Sequence, residues 1–93
     1  MKIQELLSDE TKWTQGADVR DKLNDPLGSI DDPEACKFCL FGAIYKCYSE
    51  TKSLTIIIDR VRTRLNDYGI STWNDHPDRT FQDIQKLIKD LDI

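Results

Sequence analysis

A chain of 93 residues, 39% hydrophobic and 32% charged, has room for one domain around one modest core and is too apolar for disorder. Its net charge of −4 and pI near 4.8 argue against general affinity for nucleic acid, which is held mostly by Lys and Arg on phosphates. No apolar run approaches the roughly 18 residues of a membrane span, and the opening MKIQELLSDE lacks the apolar block of a secretory signal, so a cytoplasmic protein is expected.

Residues 1–50 carry ten acids against six bases, whereas 51–93 carry seven of each, so the acidity lies in the first half. Three cysteines without an export signal predict reduced thiols rather than a disulfide framework. The first predicted element is a short helix over residues 2–13, with Ile3, Leu6 and Leu7 on one face and Trp13 near its end. From Thr14 to Asp32 turn formers dominate, and only Val19, Leu23, Leu27 and Ile30 can act as anchors. Such a connection is long for a small domain, and it predicts a short extended piece or helical turn, or a functional loop.

Asp32-Pro33-Glu34 reads as a helix start: Asp caps free N–H groups, Pro suits the first helical position, and Glu opposes the positive end of the helix. The central helix then covers Ala35–Tyr48, ACKFCLFGAIYKCY, the most apolar run in the chain. It is apolar on nearly all sides, so the rest of the domain is expected to enclose it. Gly42 within it costs roughly 1 kcal/mol relative to alanine, which predicts a close crossing by the segment around Trp13, Gly16 and Ala17 or by the Trp73 loop.

A third helix follows Ser53, with an apolar stripe of Leu54, Ile57, Ile58, Val61, Leu65 and Tyr68, and is expected to end at Gly69. Arg60, Arg62 and Arg64 lie on its flanks, and Ile56 projects from the far side. Ile70–Trp73 reads as a short extended segment leading into the loop NDHPD. Thr80 and Asp83 then form a capping box for a last helix whose apolar face is Phe81, Ile84, Leu87, Ile88 and Leu91. The expected fold is therefore mainly α: a four-helix compact single domain over residues 1–93, with a long irregular connection after helix 1 and room for a minimal two-stranded extended pairing.

Cys36, Cys39, Cys47 and the single His76 invite a metal reading. On one continuous helix, however, Cys47 lies roughly 16 Å along the axis from Cys36, too far for one tetrahedral ion. A redox dithiol at Cys36 and Cys39 would need a strand before the helix, and none is evident. Packed thiols and no metal or cofactor are the expectation. The densest polar group is Trp73–Thr80, where Asn74, Asp75, His76 and Arg79, together with Trp13 and Gln15, are candidate ligand- or partner-binding residues for a nucleotide or other anion. The competing reading is a capping turn in which Asn74 and Asp75 bond backbone and Pro77 stiffens the chain. Ile56, Arg60 and Arg64, with Asp18 and Asp21 of the acidic loop, are candidate partner-interface residues. DNA mimicry by that loop is weaker, because Arg20 and Lys22 interrupt its acids.

Three motifs in order, Trp13-Thr14-Gln15-Gly16-Ala17, Cys39-Leu40-Phe41-Gly42-Ala43-Ile44 and Trp73-Asn74-Asp75-His76-Pro77-Asp78-Arg79-Thr80, resemble a family of small uncharacterised proteins of bacteriophages and bacteria, classed as a domain of unknown function. The resemblance runs from about Leu6 to Leu91. Cys36 and Cys47 fall outside the family pattern, and the chain lacks an alanine-rich C-terminal tail that some members carry. The resemblance brings no activity with it. It implies a phage or mobile-element setting, in which small acidic proteins often block host machinery, antiviral defence included. With no catalytic set in view, the expected function is a non-enzymatic interaction protein, phage-encoded, that binds a host protein in the host cytoplasm and inhibits a defence or nucleic-acid-processing complex. No direct nucleic-acid or membrane binding is expected, and a homodimer is compatible with the sequence. The alternative is a small-ligand module, for a nucleotide or anion, built on the Trp73–Thr80 loop.

Overall fold

The two ends of the chain meet. In the computed structural model, which describes residues 1–93, α1 (Ile3–Leu6) lies beside the C-terminus, where the Ile3 N–H donates to the Ile93 carbonyl at 2.6 Å. Lys2 reinforces the contact through an ion pair with Asp92, and the Tyr48 hydroxyl donates to the same Ile93 carbonyl at 3.0 Å. Ile3 and Ile93 are both fully buried, so the junction belongs to the core.

The helix expected over residues 2–13 is broken. After α1 the chain makes a separate 3₁₀ turn at Glu10–Lys12, capped by Asp9, which accepts from the Thr11 N–H at 2.9 Å. The local preference of Asp9 and Thr11 for side-chain-to-backbone bonds competes with helix continuation. The connection that follows holds an extended piece, as its length suggested. Strand β1 (Val19–Arg20) pairs antiparallel with β2 (Lys37–Phe38), with Val19 opposite Phe38 and Arg20 opposite Lys37. Trp13 bridges to Phe38 on its other side, and the Thr14 N–H donates to the Phe38 carbonyl at 3.1 Å.

The central helix begins later than its composition suggests. Asp32 caps a single turn, accepting from the Glu34 N–H at 2.8 Å, and the chain then extends through Cys36 and β2 before α2 (Leu40–Tyr48) starts. Backbone pairing is the reason. The Cys36 N–H donates to the Arg20 carbonyl and the Cys39 N–H to the Asp18 carbonyl, each at 3.1 Å, so residues 36–39 are held extended by the preceding loop. The cap of α2 is Cys39, whose Sγ accepts from the Gly42 N–H at 3.3 Å. Leu40, Ala43 and Ile44 are buried, whereas Phe41, Tyr45, Cys47 and Tyr48 are only half-buried, so α2 keeps one open flank.

Ser53 sits at the N-cap of α3 (Leu54–Arg64), although its side chain makes no capping bond. The helix ends at Leu65, before Gly69. Asn66 and Asp67 take left-handed conformations (φ 53° and 61°), which their short polar side chains tolerate better than most residues do. Gly69 instead precedes α4 (Ile70–Asp75), a helix where an extended segment was expected. The single turn buries Ile70 and Asn74, four residues apart on one face, and this burial overrides the local β-branched preference. The Thr80–Asp83 capping box is present and opens α5 (Phe81–Leu91), which buries Phe81, Ile84, Leu87 and Ile88. The fold is thus mainly α, with five helices rather than four and one minimal two-stranded sheet. Its core gathers Ile3, Leu7, Val19, Phe38, Leu40, Ile44, Val61, Ile84 and their neighbours into one buried cluster.

Gly42 is crossed as its cost implied. A Cβ built on it would lie 2.2 Å from the Asp18 carbonyl oxygen, so the loop just after Gly16 and Ala17 runs directly over α2. Gly42→Ala should therefore lower stability by about 3 kcal/mol or more in urea denaturation, despite alanine's better helix propensity. Gly28→Ala, where a Cβ meets nothing within 4 Å, should change it by under about 0.5 kcal/mol.

Candidate functional site

The structure brings the three sequence motifs together around one side chain. Asn74, on the inner face of α4, is fully buried, and its amide uses every hydrogen-bonding position it has. Oδ1 accepts from Trp13 Nε1 at 2.8 Å and from the Leu40 N–H at 2.9 Å. Nδ2 donates to the Thr14 carbonyl at 3.1 Å and to Asp75 Oδ1 at 2.9 Å. The Leu40 N–H is one of the first donors of α2, which have no partner within their own helix, so Asn74 also caps that helix.

The neighbouring candidates extend the network. Gln15 Nε2 donates to the carbonyls of Asn74 (2.8 Å) and His76 (3.0 Å), pinning the end of α4. Asp75 Oδ1 accepts a second hydrogen bond, from the Gly16 N–H at 3.0 Å, and Gly16 has φ +82°, a conformation open to glycine at little cost. His76 is exposed, and its Nδ1 accepts from the Asp78 N–H at 3.1 Å. Arg79 stacks over the Trp73 ring at 4.0 Å and donates through Nε to the Trp73 carbonyl at 2.8 Å. Trp13 packs its ring against Phe81, centroids 6.1 Å apart. Trp13, Gln15, Asn74, Asp75, His76 and Arg79 are therefore adjacent, but Trp13 Nε1, Gln15 Nε2, the Asn74 amide, Asp75 Oδ1, His76 Nδ1 and Arg79 Nε are bonded to one another or to backbone.

Two members of this assembly were not singled out in the sequence. Thr14 is buried, and its hydroxyl accepts from Arg20 Nε at 2.9 Å. Arg20 also donates to the carbonyls of Gln15 (3.1 Å) and Asn24 (2.9 Å), so one guanidinium ties the loop to itself. The available signal was the single arginine which, with Lys22, interrupts the acids of residues 18–34.

The partner-interface candidates divide between two regions. Asp18 and Asp21 belong to the loop around β1. Asp18 takes the Cys39 thiol at 3.6 Å, and Asp21 Oδ1 accepts from the N–H groups of Leu23 and Asp25, both at 2.9 Å. Ile56, Arg60 and Arg64 instead line an open groove of about 520 Å³ between α3 and α5, together with Asp59, Thr63 and Leu91. Arg60 donates to the Leu91 carbonyl at the end of α5, and Arg64 pairs with Asp90 at 2.9 Å. Ile56 is 60% exposed.

The cysteines do not share one helix. Cys36 is exposed in the extended segment, Cys39 is the buried cap of α2, and Cys47 is half-buried near its end. Burial pushes the Cys39 thiol up to about 12 and the Cys47 thiol up to about 11. These groups keep their protons in the native state above the pH at which the unfolded chain loses them. Native stability should therefore fall as pH rises from about 9 toward 12, by up to about 1.4 kcal/mol per pH unit for the buried Cys39 and by less for the half-buried Cys47, whose charge solvent screens. Urea midpoints under reducing conditions measure the decline, and Cys47→Ala should make it shallower. Asn74→Ala should cost about 3 kcal/mol or more, because it strands Trp13 Nε1, the Leu40 N–H and the Thr14 carbonyl in a buried site. Urea denaturation followed by tryptophan fluorescence checks this.

No curated protein and no solved structure matches the chain. A family model does, over residues 2–91, and it spans all three motifs joined at Asn74. The chain belongs to the family of unknown function DUF6197.

Proposed function

We propose that this chain is a non-enzymatic interaction protein whose binding face is the groove between α3 and α5. The observation that carries the reading is Ile56, a large aliphatic side chain left 60% exposed at the edge of that groove. Leu91 adds a second apolar contact, and Arg60 and Arg64 supply the residue type most enriched, with aromatics, at protein interfaces. The Arg64–Asp90 pair is exposed and costs little to rearrange, so its guanidinium is available to a partner carboxylate. Asp18 and Asp21 do not line the groove and, in this reading, serve the loop around β1.

The partner we propose is a host protein, with the chain encoded by a phage or other mobile element and acting in the host cytoplasm to inhibit a defence or nucleic-acid-processing complex. The chain's acidity and the absence of any exposed nucleophile–base pair among the motif residues support binding over catalysis. The alternative, a nucleotide or anion site on the Trp73–Thr80 loop, is weakened by geometry, because Trp13, Gln15, Asn74 and Asp75 spend their polar atoms on one another and on backbone.

The immobilised chain should retain one stoichiometric bacterial protein from lysate. Ile56→Asp should weaken that complex by at least about 30-fold in a titration with the purified partner, without altering thermal stability. Leu23→Asp, at another exposed apolar position, should leave binding unchanged. Equal binding by the Ile56 and Leu23 variants would count against the α3–α5 face.

A further inference from the structure

Of the five arginines in the chain, four have partners. Arg20 bonds Thr14, Gln15 and Asn24; Arg60 bonds the Leu91 carbonyl; Arg64 pairs with Asp90; and Arg79 bonds the Trp73 carbonyl. Arg62 alone makes no ion pair and no side-chain hydrogen bond. Arg62 lines a cleft of about 450 Å³ between α2, α3 and the first turn of α4, separate from the groove that holds Ile56.

The walls of this cleft are apolar. Phe41 and Tyr45, one turn apart on the open flank of α2, set their ring centroids 4.8 Å apart at an interplanar angle of 44°. Ile58 lies one turn before Arg62 on α3, and Ile70, at the start of α4, also lines the cleft. Three hydroxyls, of Tyr45, Ser71 and Thr72, also line the cleft, and none donates or accepts a hydrogen bond within the protein. Three secondary-structure elements thus combine an aromatic wall, two aliphatic side chains, one free guanidinium and unengaged hydroxyls. Concave apolar surface with a few convergent polar groups is the usual form of a small-molecule site.

We propose that this cleft binds a small aromatic carboxylate. A planar guanidinium with no internal partner matches a carboxylate in a two-bond fork. A single cation suits one negative charge better than the dianionic head of a phosphate monoester, for which the cleft offers no second base. The ligand's ring packs against Phe41 and Tyr45 in an offset or tilted arrangement, with Ile58 and Ile70 covering its edges. Ser71 and Thr72 donate to the lone pairs of the carboxylate oxygens that the fork leaves unused. The site is independent of the α3–α5 groove, so a failure of either leaves the other standing.

The test is a nuclear magnetic resonance titration of the full chain with phenylacetate at millimolar concentration, with phenethyl alcohol, acetate and phenyl phosphate as comparison probes. Saturable shifts of the Phe41, Ile58, Arg62, Ser71 and Thr72 amides are expected with phenylacetate. Binding should be at least about tenfold weaker for phenethyl alcohol and for acetate, and also for phenylacetate with Arg62→Gln, since a charge-assisted bond to carboxylate is lost in each comparison or its apolar complement is. Arg62 bonds nothing in the protein, so Arg62→Gln should keep the wild-type spectrum elsewhere and the same thermal midpoint. The proposal is overturned by the absence of saturable shifts, by unchanged affinity in Arg62→Gln, by shifts confined to the Ile56 groove or the Trp73–Arg79 turn, or by tighter binding of phenyl phosphate.

Discussion

The structure hangs on the buried amide of Asn74. An amide has two acceptor and two donor positions, and burying it is tolerable only when they are filled, because each unmet group costs about 1–3 kcal/mol. Here the four partners come from the Trp13–Thr14 segment, the start of α2 and the adjacent Asp75. Once that geometry is set, much else follows. Thr14 must lie beside Phe38, Gly16 must turn with positive φ to reach Asp75, and the chain beyond it must pass over α2 where only Gly42 leaves space for the Asp18 carbonyl. Two glycines, an asparagine and a tryptophan are thus linked by one packing problem.

That solution changes what the polar motifs are for. Trp13, Gln15, Asn74, Asp75 and Arg79 have the side-chain chemistry of a ligand site, but folding points their polar groups at the protein itself. The surfaces with unspent chemistry lie along α3. On one flank Ile56 stands in water beside Arg60 and Arg64, and on the other Arg62, which makes no ion pair, shares a cleft with Phe41 and Tyr45. A small domain has little surface to spare, and α3 borders both of these open concavities.

Reduced thiols fit the same division of labour. Cys39 gives up reactivity to serve as a cap: its sulfur accepts from Gly42 at the start of α2, and burial holds it protonated. The expectation that Cys36, Cys39 and Cys47 lie along one helix failed because residues 36–39 are claimed by the backbone of the Asp18–Arg20 loop. An apolar run of that composition is compatible with helix or strand, and its own periodicity does not choose between them. The choice was made by unpaired N–H and C=O groups on a loop some twenty residues earlier.

What the sequence determined by itself was local. The Thr80–Asp83 box opens the last helix, the stripe from Leu54 to Val61 defines α3, and the unfavourable Gly42 signals a crossing, because each rests on contacts within a turn or on a residue's intrinsic cost. Exposed Ile56 was legible for the same reason, since helical spacing alone separates it from Ile57 and Val61. Tertiary structure decided the late start of α2, the helical turn at Ile70–Asp75, the role of the Trp73–Thr80 polar cluster and the isolation of Arg62. Each depends on which distant segment supplies a hydrogen-bond partner or an apolar wall: Asp18 for Cys39, Trp13 and Leu40 for Asn74, Phe41 and Tyr45 beside Arg62. A residue's type fixes how many bonds it can make, but only the folded chain determines whether those bonds are already taken.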